Sequence, residues 1–233
     1  MIIGIVCYPT FGGSGVLATE LGVELSKKGY EIHFITYNQP VRLELFSNKV
    51  HFHEVAVPNY PLFNYPPYEL ALSSRLVEVV EKYNIELLHV HYAIPHAYSA
   101  LMAKQMLKAK KINIPVVTTL HGTDITLVGS NPSYKTAVEF SINNSDYVTA
   151  VSESLKTDTL SLFNIDKSML EKFNDDFASF KVSDVGIIDE IKNTYNKSKY
   201  LLDPHSAVGV RAAKTAISEG RVDDKIPLIS LAC

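Results

Sequence analysis

Ile2-Ile3-Gly4-Ile5-Val6-Cys7-Tyr8-Pro9-Thr10-Phe11-Gly12-Gly13-Ser14-Gly15-Val16 is the stretch that decides the fold class. A short run rich in β-branched residues ends in a proline and closely spaced glycines. Apolar Val16, Leu17, Leu21, Val23 and Leu25 then interleave with Glu20, Glu24, Lys27 and Lys28 in an amphipathic helical pattern. Strand, glycine loop and helix in that order form the opening unit of a doubly wound α/β domain. Glycines let a ligand approach the backbone, and a helix N-terminus offers unpaired N–H groups and partial positive charge. Gly12-Gly13-Ser14-Gly15 therefore reads either as an anion site or as a tight turn and nothing more. Its spacing is not G-x-G-x-x-G, so a nicotinamide cofactor is disfavoured.

The chain has 233 residues, 46% of them hydrophobic, and carries a net charge of −3. That is enough to build a sizeable core, and it supplies no global field to attract nucleic acid or an acidic membrane. No apolar run is long enough to span a bilayer, and the N-terminus reads as a strand rather than a signal peptide. Cys7 and Cys233 are too few for a disulfide framework. The expected compartment is the cytoplasm.

Outward from the first helix, Glu31–Thr36 and Val50–Val55 read as strands. His51 and His53 alternate with apolar residues; without a third ligand nearby they are expected to be solvated strand histidines, and no metal site is expected. A proline- and aromatic-rich loop, Pro58–Tyr68, leads into a helix over Glu69–Tyr83. Its tyrosines and Phe63 either wall a pocket or pack as a loop without a ligand. Leu87–Tyr92 is a fourth strand, followed by a helix to about Leu107. Val116–Leu120 is a fifth strand, Pro132–Asn143 a helix, and Asp146–Val151 a sixth strand leading to a helix capped by Ser152. Strands alternating with helices predict a Rossmann-like parallel sheet. Ser14, Tyr92, His96, Thr119, His121, Thr123 and Asp124 all fall at or just beyond strand C-terminal ends, where open parallel sheets bind ligands. No hydrolytic triad or G-x-S-x-G elbow accompanies them.

Four segments, Cys7–Val16, His89–Ala97, Thr118–Thr126 and Val151–Leu155, closely resemble the N-terminal domain of the N-acetylglucosaminyl malate synthases. These are retaining GT-B glycosyltransferases of bacillithiol synthesis, and the resemblance covers about residues 1–167. It implies transfer of N-acetylglucosamine from UDP-GlcNAc to the hydroxyl of L-malate. It also implies that Ser14, Tyr92 and Thr119 bind malate, that Gly13 and Gly15 let the loop approach the donor diphosphate, and that His121 acts at the reaction centre. Thr123 and Asp124 complete the expected substrate-binding set. No cofactor is implied.

Beyond Lys167 this resemblance stops, and the donor-binding second domain of the family has no counterpart. The tail, about residues 168–231, is similar instead to the C-terminal part of the threonine synthases, most specifically at Asp203-Pro204-His205-Ser206-Ala207-Val208-Gly209. That family's Schiff-base lysine and phosphate loop have no counterpart here either. Residues 168–233 are therefore expected as a separate appendage of two helices, about Val185–Lys197 and His205–Glu219, and a terminal strand, Ile226–Leu231. The appendage is expected to dock on the first domain, with its strand pairing at a sheet edge. His205 reads as an active-site wall residue of that family or as an early helical histidine after a proline. The leading functional expectation is the acceptor half of a glycosyltransferase, inactive alone. The alternatives are a non-catalytic module binding a small dicarboxylate and a fragment of a pyridoxal phosphate enzyme.

Overall fold

The computed structural model describes residues 1–41, 43, 48–58, 61–166 and 182–220. The chain divides into two compact units, Met1–Asp175 and Asp176–Cys233. The expected boundary near residue 167 and the expected terminal strand over 226–231 both lie outside the described residues.

The first unit is a six-stranded sheet: β1 Ile2–Val6, β2 Glu31–Thr36, β3 Val50–Glu54, β4 Leu87–His91, β5 Val116–Leu120 and β6 Tyr147–Ala150. The order is β3-β2-β1-β4-β5-β6, and every pairing is parallel. Among the described residues its helices are α1 Gly13–Lys27, α2 Tyr68–Tyr83, α3 Tyr98–Ala109, α4 Pro132–Asn144 and α5 Glu153–Leu162. Short π-type turns, Ala93–Ala97 and Thr123–Leu127, follow β4 and β5; the first is not a regular helix, because Ile94 within it is extended at φ −133°, ψ 143°. Among the described residues, the sequence pattern locates the strands and the helices after α1 to within a residue or two, and α1 starts three residues before its first apolar position, Val16. It does not foresee the π-turns, because a five-residue segment is too short to show a helical period.

The inner strands are buried almost continuously, as expected of a parallel sheet covered on both faces. Leu72, Leu76, Val79 and Val80 of α2 and Ala100, Ala103 and Leu107 of α3 pack against Val6, Ile35, Leu88 and Val90 of the sheet. Ala18 of α1 packs with Ile3, Ile5 and Phe34, while Val138 and Ile142 of α4 pack with Leu120 and Val148. Leu88 has no exposed surface, so truncating it to alanine costs about 2–5 kcal/mol. Local signals set the helix starts. Asn131 accepts from the Ser133 N–H ahead of Pro132, and the Ser152 side chain accepts from the Leu155 N–H.

The solvated reading of the strand histidines needs correction. His33 is fully buried and His53 is 7% exposed, and His51 is half-buried beside them. Register explains this: His33 pairs with His51 across β2 and β3, so their side chains and that of His53 share one face of the sheet. Glu31, the first residue of β2, joins them on the same face, so further ligand-type groups do stand nearby.

Within the second unit, α6 Asp184–Ser198 and α7 Pro204–Ser218 are the described helices. Ser183 caps α6 by accepting from the Gly186 N–H, and the Asp203 carboxylate accepts from both the N–H and the hydroxyl of Ser206 at the start of α7. The two helices are joined through buried Glu190, whose carboxylate takes hydrogen bonds from Thr194 and Lys214. Burial resists ionisation of Glu190. Lys214, Thr194 and Arg211 outweigh it and hold the group below the usual carboxylate range.

Candidate functional site

The sheet order reverses between β1 and β4, and the crevice above that point gathers the polar groups. The first turn of α1 delivers Ser14 and the residue just past β4 is Tyr92, whose hydroxyl donates to Ser14 Oγ at 2.8 Å. Tyr92 adopts φ 81°, ψ 133°, a conformation rare for a residue with a side chain, as the chain leaves the strand and enters the π-turn. Its ring lies 4.8 Å from that of His121 and 5.1 Å, edge-on, from that of Tyr8.

The two glycines expected at a diphosphate have different roles in this loop. A Cβ on Gly15 would come within 2.4 Å of the Thr10 carbonyl oxygen and 2.6 Å of that of Tyr8. The loop folds back on itself there and demands glycine with no ligand involved. A Cβ on Gly13 would meet nothing within 4 Å, so that backbone faces open space. The N-cap, Gly12, has no side chain, and the N–H groups of Gly15 and Val16 both return to its carbonyl. The positive end of α1 is therefore capped by no side chain and lies beside Ser14.

Asp124 is 2% exposed. Its Oδ2 accepts from the Ala93 N–H at 2.8 Å, and its Oδ1 accepts from the N–H groups of His121 and Gly122 at 3.1 and 3.0 Å. Burial pushes its pKa above the ordinary value, while the backbone donors draw it down. This carboxylate fastens the turn after β4 to the turn after β5, which positions the site. Thr119 is similarly engaged: its hydroxyl lies 2.8 Å from His89 Nε2 and 2.6 Å from the Thr149 hydroxyl. Thr123 is exposed on the rim.

The histidines form a chain. His91 Nδ1 shares a hydrogen bond with His121 Nε2 at 2.8 Å, and the rings of His89 and His91 stack at 4.8 Å. His96 Nδ1 must carry its proton, because it donates to the His91 carbonyl at 2.6 Å; its buried Nε2 is then a bare acceptor with no partner. Burial lowers the pKa of His89, His96 and His121 to about 4, and holds that of His91 well below the usual value. All four imidazoles are neutral at pH 7. His121 therefore offers a neutral ring, whose tautomer is coupled to that of His91.

Beside these groups lies a cavity of about 740 Å³. Tyr92, Thr123 and Asp124 line it, with Tyr8, Glu69, Leu70, Ile94, Pro95, Tyr98, Val128, Tyr134 and Ala137. Ser14 and His121 do not line it but contact Tyr92, which does, whereas the hydroxyl of Thr119 is occupied with His89 and Thr149. Among the described residues the lining carries two carboxylates and no basic side chain. The aromatic loop before α2 contributes little to this wall: Tyr65 is 85% exposed and Phe63 51% exposed, and the cavity begins at Glu69. Tyr8, Tyr98, Tyr134 and the His89–His91 pair are site residues that motif reading passes over. Tyr8, at the strand-to-glycine junction, and the alternating histidines of β4 were the available signals.

Comparison with known proteins settles the family. The sequence profile of Glycosyltransferase Family 4 matches residues 11–171. The chain belongs to glycosyltransferase family 4. It is 52% identical over 172 residues to the N-acetyl-alpha-D-glucosaminyl L-malate synthase of Bacillus anthracis, an alignment covering 74% of this chain and 44% of that enzyme. A glycosyltransferase from Rickettsia africae has the same fold at a TM-score of 0.51 and 18% identity, covering 98% of this chain and 67% of that one. The tail of this family 4 member is similar to another enzyme, the threonine synthase of Saccharomyces cerevisiae. That match is 41% identical over 73 residues, 30% of this chain and 14% of that one. The chain thus spans less than half the length of the curated relatives it matches. Among the described residues, no helix is long and apolar enough to cross a membrane.

Proposed function

We propose that residues 1–167 form the acceptor half of an N-acetylglucosaminyltransferase whose acceptor is L-malate and whose donor is UDP-GlcNAc. The observation that carries the reading is the meeting of Ser14, Tyr92 and His121 above the β1–β4 reversal, beside the α1 N-terminus. Ser14, Tyr92 and the α1 N–H groups hold the small acid, with Thr119 and Asp124 fixing the turns around it. Gly13 leaves room for the donor diphosphate, and the neutral His121 ring bonds to the sugar without adding charge. A helix terminus supplies only partial charge, about half an elementary unit, against the two negative charges of malate. With carboxylates and no basic group in the cavity lining, the acid binds weakly here and the missing charge comes from the donor-binding half. Stabilisation of a departing diphosphate needs the same supply.

The test is calorimetry of the isolated chain with L-malate, followed by assay with UDP-GlcNAc. Weak heat that Tyr92→Phe removes, with no more than traces of glycosyl malate formed, supports the reading. Equal heats for wild type and Tyr92→Phe remove the acceptor site, and robust turnover overturns the view that this is half of a catalyst.

A further inference from the structure

The second cluster of histidines, on β2 and β3, lies towards the N-terminal ends of the strands, away from the crevice. Glu31 Oε1 is 3.1 Å from His33 Nε2 and 3.2 Å from His51 Nε2, and the three atoms lie within 4.8 Å of one another. Ligand atoms bound at about 2.0–2.1 Å around a tetrahedral ion stand roughly 3.3 Å apart. The Glu31 spacings already match that edge. His51 Nε2 is buried and makes no hydrogen bond although the carboxylate oxygen is so close, which leaves a lone pair without a proton-donating partner.

We propose that Glu31, His33 and His51 bind a divalent transition-metal ion, Zn²⁺ by the chemistry of the donors, as a clip between β2 and the edge strand β3. Two imidazoles and one carboxylate suit zinc, with water in the fourth position. The partial exposure of Glu31 and His51, with side chains 42% and 38% accessible, gives the ion a way in.

The surroundings are those of a ligand set. With Nε2 turned to the ion, His33 must donate from Nδ1, and His53 Nε2 stands 2.7 Å away to accept. The His33 and His53 rings lie nearly coplanar, 3° apart and edge to edge with centroids 5.0 Å apart as that hydrogen bond requires, and Tyr83 of α2 packs against both. Lys82 and Arg75 of α2 bring positive charge near His53, and the Glu31 carboxylate offsets it at the ligand atoms.

The experiment is titration of the untagged, chelator-treated full chain with ZnCl₂, read by calorimetry and by thermal midpoint. One equivalent should bind and raise the midpoint. His51→Ala and Glu31→Gln should each weaken binding roughly tenfold or more and abolish the rise, and His53→Ala should weaken it by about tenfold through the orientation of His33. His121→Ala should leave zinc affinity unchanged. Absence of binding to the wild type overturns the proposal. So does binding that survives both His51→Ala and Glu31→Gln, or that is lost in His121→Ala.

Discussion

The Tyr92 hydroxyl donates to Ser14 Oγ across a separation of 78 residues, joining the two halves of the sheet where their strand order reverses. Tyr92→Phe removes that donor and keeps the ring contacts with Tyr8 and His121. The expected loss is about 0.5–1.5 kcal/mol of stability in urea denaturation, with the secondary structure unchanged.

Asp124→Asn should cost more. The carboxylate accepts from three backbone N–H groups, whereas an amide has one acceptor oxygen and would set an NH₂ against at least one of those donors. About 2–4 kcal/mol is expected from the same measurement, together with faster amide exchange at Ala93, His121 and Gly122.

The two loop glycines should separate cleanly. Gly15→Ala drives a Cβ onto the Tyr8 and Thr10 carbonyl oxygens and should lower the thermal midpoint by several degrees. Gly13→Ala meets nothing and lies in the first turn of a helix, so it should be neutral or stabilising by up to about 1 kcal/mol.

Acid should destabilise the first unit well before its carboxylates titrate. His89, His96 and His121 have folded pKa values of about 4, below the ordinary 6.5, so between these values the unfolded chain binds more protons than the native one. Stability is complete above pH 6.5 and falls as pH drops towards 4, at about 1.4 kcal/mol per pH unit for each fully unmatched proton. Denaturation midpoints measured from pH 7.5 to 4.5 should decline along that range, and the histidine C2–H resonances of these three residues should not move between pH 8 and 6.

In the second unit, Lys214→Ala leaves the Glu190 carboxylate buried, with Thr194 as its remaining hydrogen-bond donor and Arg211 at 3.9 Å. Lys214 is itself 47% exposed, so solvent screens part of the pair. A loss of about 1–2 kcal/mol is expected, and Glu190→Gln should lose less.

The parallel sheet was legible because most strands are short apolar runs followed by an amphipathic helix, a pattern local in sequence. The convergence of Ser14, Tyr92 and His121 was legible because strand ends in such a sheet point to one edge. The occupation of Asp124 by backbone donors was not, since nothing in His121-Gly122-Thr123-Asp124 says that the turn after β4 will lie above it. The burial of His33, His51 and His53 was missed for a related reason. Alternation along β3 shows which residues share a face, but the residues of β2 beside them are set by register, and the cover from Tyr83 is set by how α2 crosses the sheet.

The position of β1 has a consequence for the order of assembly. A segment made early, Ile2–Val6, ends in the middle of the sheet, flanked by β2 on one side and by a strand some eighty residues later on the other. While the chain is being synthesised, the half-sheet β3-β2-β1 can form first, but its inner edge stays open until Leu87–His91 emerges to cover it. The crevice is therefore a late product of folding. A stall or cut before Tyr92 would leave an unpaired hydrophobic edge in place of any part of a binding site.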